Sequence, residues 1–297
     1  MSENATEQLI ADGITTRVSI VGRGEPLLMF SPGGFDATLE KWSELGVYKK
    51  INIMSYLSDR FTCILFDRRE CGGSGGRLEI LDFAGMARHG RAVLEQLDYG
   101  AAHIIGGCLG CAPAAEFSRL YPGMTRSLNL VWPVGGARYR IRNFGRFATH
   151  LGWITEHGKD ALIEKALASN VGFAKDSTLG PWGGSLRVDA GLIESLKACD
   201  EADYARLVQA SYRAMFDRES APGPIAEQLM QIRAPVGIVP GDDESHARSA
   251  AHFVKECISH AAFLDLPTSE QTSESVFAFF DDLYRSQPVR SSVERQK

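Results

Sequence analysis

Short, uninterrupted apolar blocks alternate along this chain with longer stretches whose apolar positions recur at helical spacing. That pattern predicts buried strands separated by amphipathic helices. Residues 14–21 alternate as a strand does, and Gly22-Arg23-Gly24 reads as a hairpin turn. Residues 27–30 and 61–66 are apolar strands, with a helix over 42–57 between them. A helix comes next over 80–97, carrying Leu81, Ala84, Ala87, Val93, Leu94 and Leu97 near helical spacing. After it stand a strand at His103-Ile104-Ile105, a helix over 112–121 and a strand over 127–132.

After Pro133 the rhythm changes. Residues 135–221 hold helical runs and several aromatics (Trp153, Phe173, Trp182, Tyr204, Tyr212, Phe216) but no convincing strand. Strand and helix then alternate again: strand 236–239, helix 249–257, strand 262–266, helix 274–284. The pattern predicts an α/β fold: a mostly parallel sheet with helices on both faces, the early hairpin as its antiparallel edge, and an inserted helical cap. The expected division is a core from 1–134 and 222–286, a cap at 135–221, and a polar, frayed tail at 287–297.

Composition narrows the class. Of 297 residues, 44% are hydrophobic and 23% charged, an ordinary globular balance. A formal net charge of -5 gives no reason to expect a nucleic-acid partner. No apolar run approaches the roughly 20 residues that cross a bilayer. The first seven residues lack the basic start and apolar stretch of a secretion signal, so a cytoplasmic location is the expectation.

The six cysteines fall without a framework of spacings and are expected as free thiols. Among them is the run Gly106-Gly107-Cys108-Leu109-Gly110, set between a strand and a helix. Small residues on both sides of a nucleophile let the chain turn sharply from strand to helix. Cys108 would then stand at a helix N-terminus, where a thiolate is favoured. Cys108 and Cys111 also form a C-x-x-C pair, as in redox motifs or half a zinc site. No second such pair stands nearby, and no metal or cofactor is expected. Cys111 reads better as a small core residue.

Four stretches in order resemble the α/β-hydrolase fold superfamily. They are Ser31-Pro32-Gly33-Gly34 after a strand, the run from Asp67 to Ser74 (similar to the D-x-R-G-x-G-x-S turn), the elbow at Cys108, and 235–244 with its acidic end. The chain looks most like the capped branch, with a cysteine at the elbow as in dienelactone hydrolases. The resemblance implies that backbone N–H groups of Leu109 and of the glycine loop, Gly34 first, hold the oxyanion. It implies an acid among Asp242, Asp243 and Glu244, with Asp243 preferred. It also places a histidine after the last strand, but that loop reads Thr268-Ser269-Glu270-Gln271-Thr272, with Gln271 near the expected place.

His246, in the loop after the acid strand, is the substitute base in this reading. His89, His103, His252 and His260 read as structural, whereas His150 and His157 belong to the cap. Arg138, Arg140, Arg142 and Arg146 suit a substrate carboxylate but also fit a solvated basic face, and Trp132, Phe144 and Trp182 are candidates to touch substrate. The leading expectation is hydrolysis of an ester, thioester or lactone through a Cys108 acyl-enzyme. The alternatives are a lyase, cyclase or decarboxylase on the same fold, and a catalytically silent small-molecule binder. A small acyl substrate is the expected partner, with no nucleic acid and no membrane; the resemblance leaves a homodimer open.

Overall fold

Asp12 and Gly13 both take positive φ (48° and 69°), the requirement of a tight hairpin turn. They fold Thr6–Ala11 (β1) back onto Ile14–Gly22 (β2). This first strand lies outside the sequence expectation, although Asp-Gly between alternating residues is a hairpin signal. The computed structural model describes residues 6–217 and 220–285.

Six further strands are Glu25–Phe30 (β3), Phe61–Phe66 (β4), Ala102–Gly107 (β5), Thr125–Val131 (β6), Val236–Val239 (β7) and Ala262–Phe263 (β8). Together they form an eight-stranded sheet of order β1-β2-β4-β3-β5-β6-β7-β8. Pairings β1–β2 and β2–β4 are antiparallel, and every pairing from β4 to β8 is parallel. The expected architecture is present, with one correction: β2 pairs with β4, so Gly22-Arg23-Gly24 is a crossing to β3 and not a hairpin turn.

The predicted helix over 42–57 is three short helices, Lys41–Glu44 (α1), Gly46–Lys50 (α2) and Ile53–Ser58 (α3). Extended backbone at Leu45 and a left-handed Asn52 (φ 49°) break it. The chain continues through Phe83–Gln96 (α4), Cys111–Leu120 (α5), Ala137–Ala168 (α6), Ala190–Ala198 (α7), Glu201–Phe216 (α8), Ala226–Leu229 (α9), Arg248–Cys257 (α10) and Ser273–Arg285 (α11). Asp82 caps α4 by accepting from Gly85 N–H at 2.6 Å. Helix α6 is interrupted at Gly158, whose φ of 79° is not helical.

Three apolar clusters hold these parts together. Val93 and Leu94 of α4, Ala114 and Phe117 of α5 and Val254 of α10 cover one sheet face. Trp42, Tyr48 and Leu57 from the short helices, with Val276 and Phe280 of α11, cover the other. The third cluster joins Phe147, Leu192, Tyr204 and Val208 of α6–α8, inserted between β6 and β7, to Phe35 and Leu109 of the core. Burying side chains of this size contributes about 1.5–3 kcal/mol each. The cap is therefore packed onto the carboxyl edge of the sheet. The predicted tail at 287–297 lies outside the described residues.

Candidate active site

Strand β5 is central and buried along its whole length, so the sheet fixes the turn at its carboxyl end. Cys108 adopts φ 53°, an uncommon conformation for a residue with a Cβ, and opens a single 3-10 turn that feeds α5. The flanking glycines permit this approach. A Cβ on Gly106 would stand 2.5 Å from Gly110 O, and one on Gly110 only 2.2 Å from Phe30 O. The strained elbow leaves Cys108 half-buried at the carboxyl edge, under the cap.

Three groups converge on its sulfur. The backbone N–H groups of Gly33 and Leu109 point at it, and the His246 imidazole faces it. Burial alone would push the Cys108 thiol up. The approach and charge of His246, with the two N–H donors, outweigh burial, and the net shift is downward. Burial likewise favours neutral His246, yet Cys108 and then Asp243 outweigh it and raise the imidazole's pKa. Nε2 of His246 is buried without a well-aligned acceptor. The thiol–imidazole approach is thus electrostatically coupled but short of a directed hydrogen bond, as is common before substrate binds.

The other imidazole nitrogen is held firmly. Nδ1 of His246 lies 2.9 Å from each carboxylate oxygen of Asp243, which also accepts from the backbone N–H of Ser245 at 2.7 Å and of His246 at 2.9 Å. Burial tends to raise the Asp243 carboxyl; the His246 contact and the two N–H bonds keep it below the usual range. With Nδ1 on a carboxylate, Nε2 is left to exchange a proton with sulfur.

A sequence profile described as alpha/beta hydrolase fold matches residues 26–133, the stretch from β3 through the elbow to the end of β6. The chain has the α/β-hydrolase fold. A hydrolase from Pseudomonas aeruginosa PA01 superposes with a TM-score of 0.60 at 18% identity, covering 93% of this chain and 98% of that one. An E-2-(acetamidomethylene)succinate hydrolase gives 0.57 at 16%, covering 94% and 100%. By sequence, the dihydrolipoyllysine-residue acetyltransferase component of an acetoin cleaving system from Cupriavidus necator is 29% identical over 124 residues. That alignment covers 42% of this chain and 31% of the relative.

Within this fold, the remaining sequence candidates occupy definite places. The loop donor facing the sulfur is Gly33, one residue before the expected Gly34; Gly34 borders open space. Asp242 is exposed and makes no contact with His246, and Glu244 pairs with Arg138 (3.2 Å) and Arg142 (2.8 Å). Those two arginines join the cap to the acid loop at the surface. Gln271 is fully buried. It accepts from Trp132 Nε1 at 2.8 Å and donates to the carbonyls of Pro240 (2.8 Å) and Leu266 (3.2 Å). Trp132 in turn packs on the His246 ring at 5.5 Å. Gln271 thus supports the imidazole from behind.

No other histidine joins the site. His103 binds Ser127 (2.7 Å) and Glu25 (2.9 Å) near the opposite end of β5. His89 binds Thr16 (2.7 Å), and burial and nearby arginines lower its pKa to about 3. His252 stacks on Phe263 and His260 bonds the Ala234 carbonyl. In the cap, His150 binds Tyr204 (2.7 Å) and His157 stacks on Trp153. Cys111 is buried with its thiol on Gly106 O at 3.1 Å, and burial raises its pKa well above the ordinary value. Trp182 donates to Arg77 O from within the cap contact, and Phe144 is exposed against Tyr212.

Space beside the sulfur is narrow. A void of about 10 Å³ is bounded by Cys108, Pro133, Val134, Ala221 and Pro222, room for about one water. Next to it, sharing Ala221 and Pro222, a cavity of about 230 Å³ opens between Asp82, Tyr139, Arg140, Phe216 and Gln228. Gly33 lies within the expected glycine loop, whereas the support that Gln271 gives the imidazole through Trp132 is not among the sequence expectations.

Proposed function

We propose that this protein is a hydrolase of an ester, thioester or lactone that works through an acyl-enzyme on Cys108. The observation that carries the reading is the coupled pair: a thiol held below its ordinary pKa by an imidazole that Asp243 orients. In this mechanism the thiolate attacks the acyl carbon, and the carbonyl oxygen becomes an oxyanion held by N–H of Leu109 and of the Gly33–Gly34 loop. Each such donor is worth about 3 kcal/mol. The His246 imidazolium gives its proton to the departing oxygen or sulfur. The neutral ring then takes a proton from water as that water attacks the acyl group and expels the thiolate.

The two fold neighbours, both named as hydrolases, agree with this class. Intact-mass measurement during turnover of an activated ester tests it. The expected result is a substrate-derived adduct on Cys108, with Cys108→Ala abolishing both adduct and turnover. His246→Gln should lower kcat by about 10²–10⁴-fold. Undiminished turnover in Cys108→Ala would remove the mechanism.

A further inference from the structure

Hydrolysis at Cys108 leaves its C-x-x-C partner, Cys111, without a task. The turn after β5 holds the two residues close together. The backbone N–H of Cys111 donates to Cys108 O, closing a four-residue turn of the kind whose end Cα atoms lie within about 7 Å. A disulfide spans Cα separations of about 4.4–6.8 Å. Gly106 lets the end of β5 press against this turn, since a Cβ there would stand 2.7 Å from Cys111 Cα. The two cysteines also border one space, the narrow void beside the nucleophile. Its remaining walls, among them Ala112, Ala115, Leu130 and Val134, are all apolar, and among the described residues no other cysteine borders it.

Their surroundings divide the labour. Cys108 is half-buried at the mouth of the turn, and the groups around it favour the thiolate, the form that oxidants attack. Cys111 lies one turn further in, buried, and stays a thiol. Its sulfur contacts only two carbonyls, Gly106 O at 3.1 Å and Val131 O at 3.5 Å. A thiol is a weak donor, so rotating the side chain away from those carbonyls costs little. The void gives that rotation somewhere to go.

We propose that Cys108 and Cys111 form a reversible disulfide, with a hydroperoxide as oxidant, that switches the nucleophile off and shields it from irreversible oxidation. In the first step the Cys108 sulfur attacks one peroxide oxygen. An S–O bond forms, the O–O bond breaks, and the departing oxygen takes the proton of the Cys108–His246 pair. The sulfur gives up two electrons and the peroxide gains them. In the second step the Cys111 sulfur attacks the Cys108 sulfenic acid. An S–S bond forms, the S–O bond breaks, and the hydroxyl leaves as water with the Cys111 proton. A dithiol reductant returns both thiols and is itself oxidised to a disulfide. No acyl substrate enters these steps, so the disulfide stands or falls apart from the hydrolase reading.

The test treats the full chain with hydrogen peroxide at neutral pH and then denatures it in N-ethylmaleimide. The tryptic peptide 92–119, which holds both cysteines, is weighed with and without prior dithiothreitol. The expected wild-type peptide has lost two hydrogens and carries no label, and dithiothreitol restores both labels. In Cys111→Ala, Cys108 should instead stop at a sulfenic acid that dimedone captures. Excess peroxide should drive that variant to a sulfinic acid that dithiothreitol does not reverse. Three wild-type results each overturn the proposal: added oxygen on Cys108 beside a labelled Cys111, a disulfide from Cys108 to another cysteine, or both sites still labelled. Should Cys111→Ala not fold, Cys111→Ser carries the same measurements. Turnover of an activated ester, followed in parallel, should vanish in the disulfide form and return with dithiothreitol. If the untreated protein turns over no ester, the hydrolase reading alone fails, and the peptide mass still decides the disulfide.

Discussion

A sulfur nucleophile asks little of its base. An ordinary thiol, with pKa about 8.5, is already a few per cent ionised at pH 7. The lowered thiol and the raised imidazole both shift toward a thiolate beside an imidazolium. The two shifts set the pH window. Alkylation of Cys108 by iodoacetamide should persist below the range of a free thiol, failing only as acid protonates the sulfur through its lowered pKa. Turnover should fall on the alkaline side as His246 loses its proton through a raised pKa. In His246→Gln, burial is no longer opposed by the ring, so the alkylation midpoint should move upward. A rate–pH curve superimposable on wild type would show that the ring does not act on the thiol. Cys111, with its pKa raised, should stay unlabelled where Cys108 reacts.

At the scale of elements, the proposed acid and base, Asp243 and His246, both come from the loop after β7, three residues apart, and that loop is steadied by parts remote in sequence. Trp132, in a left-handed conformation at φ 54°, packs on His246 and is tied to Gln271. Gln271→Ala leaves the Trp132 N–H and the Pro240 carbonyl without their partner, which should cost about 1–3 kcal/mol of stability. It should also lower kcat with little change in KM, since the ring loses its backing and the acyl pocket does not. Denaturant unfolding and steady-state kinetics on the one variant check both. The elbow is legible in sequence because Gly106 and Gly110 make contacts that no side chain permits. The β1–β2 hairpin is legible too, at Asp12-Gly13, though the expectation passed over it. The partnership of His246 with Cys108 is not, since loop conformation decides where an imidazole points. Nor is the choice between Gly33 and Gly34, which turns on the direction of one peptide N–H.

On the scale of the molecule, cap and core share one apolar cluster, and Phe35 is its hinge pin. It touches Phe147 (5.6 Å), Phe173 (4.9 Å) and Phe216 (6.1 Å) of the cap region from the loop that bears Gly33. Phe35→Ala should cost about 3–5 kcal/mol and loosen the oxyanion loop, lowering kcat. The surface link from Arg138 and Arg142 to Glu244 should matter far less: Glu244→Gln is expected to change stability by under about 1 kcal/mol. Thermal melts of the two variants distinguish packing from charge as the tie between the layers. The placement of His246 has a wider consequence. In the proposed mechanism proton traffic is handled entirely before α10, so the carboxyl-terminal segment needs no base of its own and serves the site only by backing it through Gln271. A survey that recognises working catalysts of this architecture by an imidazole near the chain's end would file such proteins among the inert.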